Sequence, residues 1–208
     1  MPAPSDDARQ RRVQQRALET RDLLLRAAVD VLCDSGYAGF STLAVGEAAG
    51  VSRGRLVHHF PTKNALIEAV TDRLARSYAE LAPAQAQARE LAAAPQPDRA
   101  AQGLGMIWQL MNTRDYQAFL ELLIGTRHDP ELRPVVREFE RRLEHELLAA
   151  VRIVSGPAAD SPEFGASLLT ALQATRGLLL ISSAGGHDLA ADWETVRGRL
   201  LLLFRPTA

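Results

Sequence analysis

Chemistry-bearing side chains are scarce in this chain. A single cysteine, Cys33, among 208 residues excludes an internal disulfide and a cysteine-rich zinc site. Cys33 falls on the apolar side of a predicted helix, where a thiol reads as buried and structural. No metal-spaced cluster of His and Cys is present. Nor is there a G-x-S-x-G elbow, a phosphate-cradling P-loop or a G-x-G-x-x-G turn, so nothing points to an enzyme, a metal or a cofactor. His58 and His59 are adjacent on a predicted helix and point in different directions, which suits chelation poorly. His187-Asp188 in a Gly-rich loop reads as a helix cap or a solvated loop. No apolar run approaches the ~18 residues a membrane span needs, and the polar start MPAPSDDARQRR is unlike a signal peptide. The expectation is a cytoplasmic protein with no membrane partner. No alternating strand pattern and no internal repeat appears.

What is present is a 47% hydrophobic composition, enough for a core, with apolar residues at helical spacing almost throughout. The net charge of −1 argues nothing by itself, but its distribution does. Residues 8–63 carry nine Lys or Arg against five Asp or Glu, and residues 64–208 carry fifteen against eighteen. A basic N-terminal part on an acidic remainder fits a nucleic-acid-binding head carried by a separate body.

The most informative stretch is FSTLAVGEAAGVSRGRLVHHFPTKNAL, residues 40–66. Ser41 and Thr42 are N-cap residues, whose hydroxyls satisfy free N–H groups at a helix start. Val45, Ala48 and Ala49 give that helix an inner face. Gly50 stops it, because glycine accepts the left-handed conformation at a helix end. Ser52 caps a second helix over 53–59, which turns Leu56 and Phe60 inward and leaves Arg53, Arg55 and His58 outward. Two helices around a Gly-containing turn, the second presenting cations, form the signature of a helix-turn-helix DNA reader.

The run AAGVSRGRLVHHFPTKNAL resembles the N-terminal domain of TetR/AcrR-type bacterial regulators. The matching residues are Ala49, Gly50, Val51, Ser52, Gly54, Leu56, His59, Phe60, Lys63 and Leu66, with Gly36 and Tyr37 ending the preceding helix. The match covers about residues 20–70. The resemblance implies an all-α protein of about nine helices, with a three-helix head and a body for ligand binding and dimerisation. Its parts are a flexible basic arm over 1–16, a helix-turn-helix domain over 17–62 and a regulatory and dimerisation domain over 63–208. It implies double-stranded operator DNA as partner, a homodimer and a small-molecule effector. DNA contacts fall to Thr42, Ser52, Arg53, Gly54, Arg55, His58, His59 and Lys63. Arg53 and Arg55 have the reach for guanine edges, Ser52 sits at a helix N-terminus that suits a phosphate, and His59 and Lys63 match family positions that bind phosphates. The arginines of the arm, Arg9, Arg11, Arg12 and Arg16, either lie along DNA or remain solvated.

Beyond the motif, periodicity predicts a first helix over 17–35 and a fourth from Lys63 to a break at Pro83. The Ala-rich stretch 82–97 reads equally as frayed helix or loop. Further helices are expected over 99–112, 114–127, 131–154, 162–184 and 192–204. In the family the last two pair with their copies in a second subunit. Leu168, Leu172, Leu179, Leu200 and Leu203 are the candidates for that contact, with monomer core the competing use. An apolar cavity with few polar handles is the usual form of a small-molecule site. Tyr78, Met106, Trp108, Met111, Phe119 and Leu123, with Asn112, Gln173 and Arg176 as handles, could line one, although such a stripe is more often plain core. The reading is a dimeric transcriptional regulator, a repressor released by a small, mostly apolar effector. The alternative is a ligand-free or partner-regulated dimeric DNA-binding protein.

Overall fold

A computed structural model describes residues 6–79, 96–155, 159–182, 185, 186 and 188–204. Among them are nine α-helices and no strand. The helices are α1 (Asp6–Gly39), α2 (Thr42–Ala48), α3 (Arg53–His59), α4 (Lys63–Ala79), α5 (Gln96–Met111), α6 (Arg114–Gly125), α7 (Arg133–Ser155), α8 (Pro162–Ser182) and α9 (Leu189–Leu203), with a 3-10 turn at Pro130–Leu132 before α7. The Ala-rich stretch 82–97 and the break at Pro83 lie largely outside the described residues.

The boundaries follow local chemistry. α1 starts at Asp6 and not near residue 17, so the described part of the expected arm is helix. Its residues are mostly Arg and Gln, good helix formers, with no Gly or Pro among them, and Asp6 and Asp7 at the N-terminus favour the helix dipole. Gln15 Nε2 donates to Glu19 one turn on at 3.1 Å. Arg9, Arg11, Arg12 and Arg16 are all exposed along this extension. Gly36, at φ 65°, breaks α1 where expected. Ser41, rather than Thr42, caps α2 by accepting from the Ala44 N–H at 3.1 Å. The inner face of α2 is Val45 with Gly46, while Ala48 is exposed. The last helix starts three residues earlier than its apolar pattern suggests. Asp188 caps it, accepting from the N–H groups of Ala190 and Ala191 at 3.1 and 3.2 Å, and Gly185 and Gly186, at φ 80° and 82°, turn the chain into it.

One apolar core runs through head and body. Leu24, Ala28 and Leu32 of α1, Val45 of α2, Leu56 of α3 and Leu66 and Val70 of α4 are buried in the same cluster as Tyr116, Phe119 and Leu122 of α6. The most extensive helix pairing is α1 on α6; α4 packs on α7, and α8 on α9 and α5. Phe119 sits between Phe139 of α7 at 4.4 Å and Tyr116 at 5.6 Å, centroid to centroid.

α8 requires a correction. By length and composition it is apolar enough to cross a membrane, contrary to the sequence expectation, and only 17% of its apolar window is buried. It is apolar on more than one side, which demands two apolar neighbours. Leu168, Ala171 and Thr175 face the protomer core, whereas Leu169 is 57% and Ile181 53% exposed. On α9, Leu200 is buried while Leu202 and Leu203 are each 45% exposed. Leu168 and Leu200 are therefore core residues of the protomer, each 5% exposed. Leu172 and Leu179 are half-buried, and Leu203 is open.

Candidate nucleic-acid interface and effector cleft

The turn between α2 and α3 is built as its residue types require. Gly50 takes φ 63°, and the Val51 N–H donates to the Gly46 carbonyl at 2.9 Å. Ser52 caps α3, its Oγ accepting from the Arg55 N–H at 3.4 Å. Leu56 and Phe60 anchor the helix inward at 1% and 3% exposure. Ser52, Arg53, Gly54, Arg55 and His58 consequently share an exposed surface. No atom outside the helix's own backbone lies within 4 Å of where a Gly54 Cβ would stand, so the backbone there is open to close approach. Thr42 is half-buried at the start of α2.

Two of the expected DNA contacts are held by the protein itself. Arg55 is exposed, yet its Nη2 donates to Thr20 Oγ1 at 2.6 Å, and that hydroxyl donates in turn to the Arg16 carbonyl at 2.8 Å. This pair ties α3 to the basic extension of α1. Lys63 places its ammonium 4.0 Å from the Tyr37 ring centroid and 5.8 Å from that of Phe40; burial lowers its pKa, with Asp129 acting in the opposite sense. His59 is half-buried beside His58 at 5.5 Å and Phe60 at 6.3 Å. Burial first, then the neighbouring His58, Arg55 and Arg21, push its pKa below the ordinary imidazole range. Thr20 and Tyr37 are the site residues that the sequence reading missed as partners. The pattern held no signal for Thr20, and Tyr37 was recognised only as the end of α1.

Among the described residues, several of the expected ligand residues are taken up by contacts within the body. Trp108 stacks on Trp193 of α9 with centroids 4.5 Å apart and planes at 12°. Met106 packs with Ile153 and Val154, apart from the main core. Met111 and Phe119 are core residues, Leu123 is half-buried, and Asn112 and Gln173 are exposed. Arg176 is spent internally, donating to the Tyr116 hydroxyl at 3.0 Å and to Glu140 at 3.2 Å. The side chain of Tyr78 lies outside the described ones. Aromatic rings and the guanidinium found partners within the body, which one-dimensional spacing cannot show.

Two adjoining clefts of about 340 and 320 Å³ instead lie between α4 and α7. Asp72, Ala75, Phe139 and Arg142 line both; Val135, Glu68 and Glu138 add to the first, and Leu143 and Glu146 to the second. Arg142 spans the gap, bonding Asp72 on α4 at 3.1 Å and Glu138 on its own helix at 2.7 Å. Arg141 adds a bond to Glu138 at 2.8 Å. Hydrogen bonds from Arg141 and Arg142 hold the Glu138 pKa down to about 2.

A prediction follows from His59. Its folded pKa is depressed, so the folded state binds a proton less readily than the unfolded chain. Its contribution to stability is complete above its unfolded pKa of about 6.5 and is lost as pH falls through the lower folded value. His59→Asn should therefore shrink the drop in thermal midpoint between about pH 7.5 and pH 5.5. An equal drop in variant and parent, measured by circular dichroism, would contradict this environment for His59.

Comparison with known proteins agrees with this geometry. Residues 24–70 match the family described as bacterial regulatory proteins, tetR family. The HTH-type transcriptional regulator CymR of Pseudomonas putida is 34% identical over 157 residues, covering 74% of this chain and 75% of that protein. The HTH-type transcriptional regulator UidR of Escherichia coli K12 is 36% identical over 58 residues, 28% of this chain and 30% of its own. The fold is shared with a TetR family member from Streptomyces coelicolor A3, at TM-score 0.63 and 20% identity over 90% of this chain and 99% of that one. The chain belongs to the tetR family of bacterial regulatory proteins and is a DNA-binding transcriptional regulator.

Proposed function

We propose that the chain is a homodimeric repressor that binds a partly palindromic operator and is released by a small effector with an apolar body. The observation that carries this reading is the pairing of two open surfaces on one protomer. One is the cationic face of α3; the other is the apolar face of α8 and α9. A two-fold dimer through the second face would hold two copies of the first at a fixed separation, which a palindromic site requires.

On the DNA side, Arg53 and Arg55 reach base edges, while Ser52, Thr42, His59 and Lys63 serve phosphates. Gly54 lets the helix come close. Arg55 must exchange its bond to the Thr20 hydroxyl for a guanine edge. A hydrogen bond to a charged group is worth about 1.5–3 kcal/mol, comparable to what a bidentate guanine contact returns, so the exchange is near balance. On the dimer side, Leu169, Ile181, Leu202 and Leu203 offer the exposed apolar surface. The Ser167 hydroxyl donates to the Leu203 carbonyl at 3.2 Å, and Phe164 meets Phe204 edge-on at 5.5 Å, so the start of α8 and the end of α9 present one continuous patch.

The effector seat is the cleft between α4 and α7. α4 begins at the DNA-facing Lys63, and the Arg142–Asp72 pair is its charged link to α7. A molecule settling on Val135 and Phe139 would part the two helices and shift the heads. It must bind the released state better, and operator must weaken it by the same factor.

Two experiments test the reading. Arg55→Ala should weaken operator binding by about 1–3 kcal/mol and relax preference at one base position; unchanged preference across a substituted operator set would remove Arg55 from base reading. Leu169→Glu combined with Leu203→Glu should convert the dimer to monomer by light scattering. A soluble, unchanged dimer would place the subunit contact elsewhere.

A further inference from the structure

The short turn between α6 and α7 holds the head at one point, and the contacts there are dense. Tyr37, just past the break in α1, lays its ring on Gly125. A Cβ at Gly125 would stand 2.5 Å from Tyr37 Cγ, so only glycine admits the ring at this distance. The Tyr37 hydroxyl donates to Asp129 Oδ2 at 2.5 Å. Asp129 is itself fixed: its N–H donates to the Gly125 carbonyl at 2.9 Å, and its Oδ1 accepts from the Glu131 N–H at 3.2 Å. Glu131 in turn accepts from Asn64 Nδ2 at 3.0 Å, the residue after Lys63. The ring held in this way is the one that faces the Lys63 ammonium at 4.0 Å.

We infer that Tyr37, Gly125 and Asp129 are positioning residues for Lys63, holding its ammonium against an aromatic face so that it meets a DNA phosphate already oriented and partly desolvated. The inference rests on the reading of Lys63 as a phosphate contact and adds how the body controls it. A free lysine loses about 0.5–1.5 kcal/mol of rotamer freedom when it is immobilised at an interface; here part of that loss has occurred before DNA arrives. A cation over a ring face keeps N–H donors on its far side, which remain available to an oxyanion. The body end of the arrangement, 125–131, joins α6 to α7. Movement of α7 therefore reaches Lys63 through Asp129 and the Tyr37 ring, without deforming α3.

The test uses the full-length protein and a random-sequence DNA duplex, since a phosphate contact is independent of sequence. Affinity is measured against salt for the parent, Lys63→Ala, Tyr37→Leu, Asp129→Asn and the two combinations with Lys63→Ala. Circular dichroism reports folding of each. Lys63→Ala should flatten the salt slope by about one unit. Tyr37→Leu should weaken binding about two- to fivefold, the loss of a cation–aromatic contact, and move the slope towards that of Lys63→Ala; Asp129→Asn, which loosens the anchor of the ring without removing it, should act in the same direction by less. Neither should have a further effect once Lys63 is alanine. A general loss of structure would lower affinity equally in both backgrounds and would overturn the inference. So would a full parental slope in Tyr37→Leu and Asp129→Asn beside a flattened one in Lys63→Ala, which leaves the phosphate role of Lys63 standing. A parental slope in Lys63→Ala itself would remove that role and the positioning with it. Asp129→Asn keeps the side-chain shape, so the test stands even if Tyr37→Leu fails to fold.

Discussion

The packing of α1 on α6 is the contact on which everything else depends. Leu24, Ala28 and Leu32 contribute to the same buried cluster as Tyr116, Phe119 and Leu122. α1 also anchors α2 and α4, so the helix that builds the head is the one that binds the body. Burying each of the leucines and Phe119 stabilises by about 1.5–3 kcal/mol, far more than the exposed ion pairs at the same junction. Arg114 bridges Asp30 and Asp34 at 3.0 and 3.1 Å, but with all three side chains more than half exposed these bonds orient α6 more than they secure it. Head and body share one apolar core.

That unity gives the DNA face its character. Cations of α1, α3 and α4 around this face are held by neighbouring side chains. Arg55 is tied to Thr20, Arg21 lies 5.5 Å over the Phe60 ring, and Lys63 rests on Tyr37. Each such contact lowers the entropy still to be lost when a phosphate or base arrives. The same contacts connect the reading helix to α1 and to the turn before α7. A change in the body can therefore reach DNA affinity through a few side chains instead of a rearranged fold.

Much of this was legible in the residues. Gly50, Ser52, Leu56 and Phe60 mark a helix-turn-helix because each has a local reason to be where it is, and local reasons are what a sequence states openly. The exposed placement of Arg53, Gly54 and His58 follows from the same periodicity. Contacts between distant segments were not legible. Nothing in the spacing of Trp108 announces Trp193 across the body, and Arg176 looks like a free polar handle until Tyr116 and Glu140 stand beside it. The leucines of α8 and α9 illustrate the limit. An all-round apolar helix signals two neighbours, but only the packed structure separates Leu168 and Leu200, which serve the protomer, from Leu169 and Leu203, which do not. The helical arm before residue 17 was legible in principle, since DDARQRRVQQR contains good helix formers and no breaker.

If α1 and α6 join head and body into one cooperative unit, amide hydrogen exchange will report it. The account predicts that the buried halves of α1, residues 24–32, and of α6, residues 116–122, open with the same free energy, and that destabilisation by urea lowers both in step. Exchange of α1, α2 and α3 at a much lower free energy, while α6 remains protected, would show a head that opens independently of the body and would contradict the account.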